Sequence, residues 1–82
     1  MHYWYTQIMG IIGETKKQIL EEINKSPVHG YQIATTLRIP LSTSYEHLKD
    51  LQENNLVEFK ISGRKKLYYL TDKGKSFLRL LE

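Results

Sequence analysis

Cysteine is absent from this 82-residue chain, so neither a disulfide framework nor a thiolate metal site can form. Proline occurs twice, at Pro27 and Pro40. Helix-breaking signals are therefore few and well placed. No apolar run approaches the ~20 residues that span a bilayer, which excludes a membrane-spanning reading. Met1–Ile12 has no basic n-region, so a secretory leader is not expected. The three histidines, His2, His29 and His47, lack the spacing of a metal site. No nucleophile stands in a pattern with a base. Lone Ser and Thr residues read as caps and turns. Neither an enzyme nor a cofactor is expected, and the cysteine-free composition fits a cytoplasmic chain.

What is present is ordinary in amount and uneven in placement. Hydrophobic residues make up 40% and charged residues 26%, the balance of a single globular domain with a modest core. The net charge is +3. Residues 1–59 carry five basic against seven acidic side chains, whereas residues 60–79 carry seven basic against Asp72 alone. Such asymmetry suggests an anionic partner; the plainer alternative is a solvated surface.

Along the chain, residues 1–13 hold Tyr3, Trp4, Tyr5 and Ile8, aromatic and apolar residues that need cover. Gly10 and Gly13 break this segment, as an arm or short helix, from a helix over Glu14–Lys25. That helix points Ile19, Leu20 and Ile23 inward and stops at Ser26-Pro27. A second helix is predicted over Tyr31–Arg38, ended by Pro40. Ser42 is the expected N-cap of a third helix running to Asn54, with Leu48 and Leu51 inward. Leu56–Ile61 and Lys66–Leu70 read as two strands joined through Ser62-Gly63-Arg64-Lys65. Thr71 caps a last helix over Asp72–Leu81. The fold class is α+β, mainly α: three helices, a two-stranded wing hairpin and a C-terminal helix, the order of a winged helix-turn-helix.

The segments "PVHGYQIATTL", "LSTSYEHLKDLQENNLV" and "GRKKLYYLTDKGK" together resemble the PadR-like winged-helix transcriptional regulators, with MarR-like proteins more distant. The resemblance rests on five stretches in order: His29-Gly30-Tyr31, Thr43-Ser44-Tyr45, Leu48 with Leu51, Gly63-Arg64, and Tyr69 through Gly74. It covers roughly residues 17–81. Ser44 departs from it, standing where such proteins place an apolar core residue, so local packing must differ. The resemblance implies dimeric, sequence-specific binding of double-stranded DNA in a prokaryotic nucleoid.

In that reading the recognition helix, about residues 42–54, presents Ser42, Thr43, Tyr45, Glu46 and Lys49 to the major groove. Asp50 lies off the interface. Tyr45 has an alternative role, filling space left by Ser44. Arg64, Lys65 and Lys66 of the wing reach phosphates or the minor groove. Alternatively, the charged tip only blocks edge-to-edge strand pairing, or Lys66 points along its strand with Lys60 across from it. Either Tyr68 or Tyr69 joins the core. His29 orders the turn into the second helix, and Gly74 marks close backbone packing. The N-terminal arm (Tyr3, Trp4, Tyr5, Ile8) is expected to form a homodimer contact with Phe77 and Leu81 of the last helix. Self-packing and an aromatic pocket for a small-molecule effector are the alternatives. A winged helix used for protein contact, or for DNA binding of little specificity, is the competing function.

Overall fold

The computed structural model describes the backbone of residues 3–82 and the side chains of residues 13–82. Helix α1 (Tyr3–Lys25) is interrupted at Gly13, where φ is 78° and ψ 165°. This left-handed backbone suits a residue without a Cβ. Residues 3–12 are helical in backbone rather than an extended arm. Ile19, Leu20 and Ile23 of α1 are buried in the core.

Pro27 ends α1 and the chain extends through β1 (Val28–His29) into α2 (Gly30–Leu37). Strand β1 is an addition to the sequence reading; two residues are too short to show alternation. Helix α2 closes with Arg38 in the left-handed region (φ 57°), and the Ile39 N–H donates to the Ala34 carbonyl at 3.0 Å. That six-to-one bond is the Schellman closure usually built on glycine. It turns the chain so tightly that α3 (Leu41–Glu53) starts with Pro40 at its N-cap. The expected cap, Ser42, instead lies inside the first helical turn with its side chain exposed.

Helix α3 ends by the same device. Asn55 is left-handed (φ 62°), and the Leu56 N–H donates to the Leu51 carbonyl at 2.9 Å. Strands β2 (Val57–Ser62) and β3 (Lys65–Leu70) follow, joined by the two-residue turn Gly63-Arg64. Gly63 takes a φ of 66° there, as tight hairpins with matching twist require. The sheet has three antiparallel strands in the order β1-β3-β2, one more than predicted. Val28 pairs with Tyr68 and His29 with Leu67. Helix α4 (Asp72–Leu81) is capped by Thr71, whose hydroxyl accepts from the Gly74 N–H at 2.9 Å and donates to the Asn55 carbonyl at 2.6 Å. Residues from α1, α2, α3, β2, β3 and α4 close one core around Leu48 and Leu51.

Candidate nucleic-acid interface

The orientation of α3 follows from what it buries. Leu48 and Leu51 face the core, and so does Ser44, which is fully buried. A buried hydroxyl needs a partner. Ser44 Oγ donates to the Gly30 carbonyl at 2.9 Å, tying the start of α3 to the start of α2. This polar tie is how the packing departs from an apolar residue at that position. With that face fixed, Ser42, Tyr45, Glu46 and Lys49, spaced i, i+3, i+4, i+7, form one exposed stripe. Thr43 is half-buried at its flank. Asp50 turns away toward α1, where its carboxylate meets Lys16 Nζ at 3.1 Å.

Tyr45 serves two sides at once. Its ring lies on Gly30 so closely that a Cβ there would come within 2.6 Å of Cε1. The residue nevertheless stays 43% exposed, so packing does not exhaust it.

The hairpin sorts its side chains by register. Phe59 pairs with Tyr68 and Ile61 with Lys66, placing these four on one face. Lys66 Nζ lies 4.5 Å from the Phe59 ring centroid, a cation–π contact. Lys60 pairs instead with Leu67 and sits on the other face, 5.8 Å from the Tyr69 ring. Lys60 and Lys66 are therefore not across from each other, because the pairing is offset by one residue from that expectation. Tyr68 joins the core. Burial, and then the neighbouring Tyr45, push its phenol above the usual range. Tyr69 donates to Glu58 Oε2 at 3.1 Å, and that hydrogen bond raises its phenol too.

Between α2, α3 and the wing lies a cleft of about 320 Å³ lined by His29, Tyr31, Tyr45, Arg64, Lys65 and Lys66. Three candidate wing cations and one candidate from α3 thus meet in a single concavity with no carboxylate in its lining. His29 and Tyr31 enter it unforeseen as site residues. Their signal was in the sequence, in the His-Gly-Tyr stretch, but the β1–β3 pairing that carries His29 to the wing was not. The His29 N–H donates to Gln32 Oε1 at 2.8 Å, and its Nδ1 lies 3.0 Å from the Lys66 carbonyl. His29 thus orders the start of α2, as expected, and also fastens it to the wing.

The expected dimer contacts divide. The side chains of Tyr3, Trp4, Tyr5 and Ile8 lie outside the described residues. Phe77 is half-buried beside a cavity of about 150 Å³ that also touches Lys16, Asp50 and Lys73. Leu81 is 2% exposed in the single chain, whereas its neighbour Leu80 is 53% exposed. Among the described residues no group of three His, Asp or Glu side chains could hold a metal ion, and no helix is long and apolar enough to cross a membrane.

The transcriptional regulator PadR-like family matches residues 19–80, from the buried face of α1 to the end of α4. The chain belongs to this family. This PadR-like chain is also similar to MJ1398 of Methanocaldococcus jannaschii, described as an uncharacterized HTH-type transcriptional regulator. The two are 36% identical over 59 residues, which cover 72% of this chain and 15% of that protein. Among solved structures, Lactococcus lactis ZitR is similar at 26% identity with a TM-score of 0.76, over 80% of this chain and 47% of that one. Staphylococcus aureus MarR is similar at 29% identity with a TM-score of 0.75, over 83% of this chain and 48% of that one. The PadR-like chain thus spans about half of each of these two structures and a small part of MJ1398.

Proposed function

We propose that this PadR-like chain is a homodimeric regulator of transcription that binds double-stranded DNA with sequence specificity. The outward stripe of α3 enters the major groove. Ser42 and Lys49 offer donors, Tyr45 a hydroxyl, and Glu46 an acceptor suited to a cytosine amino group. Thr43, at the flank, reaches a phosphate. Arg64 and Lys65 grip the adjoining backbone or minor groove, with Lys66 behind them. The observation that carries this reading is that Tyr45 of α3 borders the same carboxylate-free cleft as Arg64, Lys65 and Lys66. A base-reading helix and a phosphate-holding tip on one side of the molecule suit one duplex.

The homodimer in this proposal uses the N-terminal helix, with Tyr3, Trp4, Tyr5 and Ile8, against α4 of the second copy. Phe77 and the exposed Leu80 supply surface on α4, and Leu81 supports that face from beneath. Selection of bound duplexes from a random pool tests both parts. The expected product is a palindromic site with half-sites about one helical turn apart. Recovery of no common sequence would leave a winged helix that binds DNA without reading it, and no recovery at all would remove DNA as the partner.

A further inference from the structure

We infer that the cleft between α2, α3 and the wing seats one backbone phosphate of the bound duplex, and that His29 is a contact in that seat which takes up a proton when the phosphate arrives. This inference rests on the DNA-binding reading above and adds to it a residue, a ligand group and a proton. The cleft's chemistry favours an oxyanion. Arg64, Lys65 and Lys66 line it from the wing, Tyr31 from α2 and Tyr45 from α3, and every one of these side chains can donate. Tyr31 is 64% exposed, so its hydroxyl is accessible to a ligand. Phosphate oxygens accept from this mixture of cationic and hydroxyl donors.

His29 is held in place more firmly than a surface histidine needs to be. Its backbone N–H is bonded to Gln32 Oε1, its residue pairs with Leu67 across the sheet, and its Nδ1 meets the Lys66 carbonyl at 3.0 Å. A carbonyl only accepts, so Nδ1 carries the proton in that bond. Nε2 is the nitrogen left for a ligand. Neutral, Nε2 is an acceptor and has nothing to offer an oxyanion; protonated, it becomes a charged donor. Arg64, Lys65 and Lys66 from the wing, the Tyr31 phenol from α2 and the Tyr45 phenol from α3 line the cleft with His29; Gln32 bonds its backbone, and Tyr68 pairs with the adjacent Val28. None of them is a carboxylate. The incoming phosphate supplies the anion, and the proton comes from solvent.

A purely structural His29 would only pin α2 to β3 through Nδ1. His29→Asn separates the two roles, because an Asn amide can donate near the Nδ1 position but has nothing at Nε2. The measurement is the affinity of the full chain for a mixed-sequence duplex at low salt, at about pH 5.5 and about pH 8. The wild type is expected to bind about tenfold more tightly at the lower pH, the effect of one added hydrogen bond from a charged donor to the phosphate. Its salt slope should be steeper there by about 0.9. His29→Asn should lose both differences while keeping the thermal stability of the wild type. His2 and His47 remain in both proteins, so what they add is common to both and the difference between the two profiles belongs to His29. Tyr31→Phe, at an exposed position, is the second variant and should weaken binding several-fold at both pH values with the slope unchanged. A His29→Asn profile that follows the wild type, or a Tyr31→Phe affinity equal to wild type, overturns the phosphate seat. Failure of the wild type to bind the duplex at either pH overturns the DNA-binding reading itself.

Discussion

Two junctions in this molecule are each built around a glycine, and they differ in what presses on it. At Gly74, in the first turn of α4, an added Cβ would run into the carbonyl oxygen of Leu56. That carbonyl also accepts from the Thr71 N–H at 3.1 Å, and Lys73 Nζ reaches the neighbouring Asn54 carbonyl at 3.1 Å. The junction is backbone against backbone, and it ties the connection between α3 and β2 to the start of α4. At Gly30, the pressing group is the ring of Tyr45, a half-exposed side chain at the edge of the cationic cleft. The first junction has no side chain that can move aside. The second can yield, and its movable part faces the site. Rigid contacts between main chains carry the fold, whereas the contact made by a side chain lies where the fold meets its partner.

Gly74→Ala tests the first junction and should have the largest effect on stability. Neither the helix turn nor the Leu56 carbonyl can move without breaking the Thr71 cap, so a loss of about 3 kcal/mol is expected in denaturant unfolding. Ser44→Ala comes next. It removes the buried hydrogen bond that ties α3 to the start of α2, while the Gly30 carbonyl keeps its helical donor, so the cost is about 1.5 kcal/mol. Gly30→Ala should cost less, about 1 kcal/mol, because Tyr45 can swing outward. Its effect should instead appear as weakened duplex binding, since the α3 stripe and the cleft are then re-shaped. If Gly30→Ala destabilises as much as Gly74→Ala, the distinction between the junctions fails.

The smallest effect concerns the two tyrosines of β3. Both phenols have folded-state pKa values raised above 10.0. A raised value favours the neutral form in the fold, so the associated stability is present below that pH and fades as pH climbs through the folded value. Unfolding midpoints followed from neutral to alkaline pH should therefore decline. Tyr68→Phe, at the buried position, should flatten the decline more than Tyr69→Phe, whose phenol is at the surface and bonded to Glu58.

Much of this could be read from local sequence, because local rules govern it. Thr71 caps α4, Pro27 ends α1, Gly63 makes the turn and Gly74 marks a close approach. The misreadings share a cause: each depends on a partner far along the chain or on backbone closure. Ser42 is a good cap by type, but the Schellman closure at Arg38 delivers the chain to Pro40 first. Ser44 looked misplaced because its acceptor, Gly30, is fourteen residues away. His29 became a cleft residue only through β1, whose partner strand lies some forty residues further on. The stripe on α3 was legible, since Leu48 and Leu51 fix it by helical period alone.

The central claim is that α3 reads bases while the wing holds phosphates. Its most direct test is the affinity of the wild type and of the Arg64→Ala, Lys65→Ala double variant for the selected duplex and for a random one, across a range of salt. The wild type should prefer the selected duplex by about 10³ or more at fixed salt. The double variant should bind both duplexes more weakly, with a salt slope lower by about 1.8 and much of the preference retained. A wild-type preference near unity, or a double variant with an unchanged slope, would contradict the account.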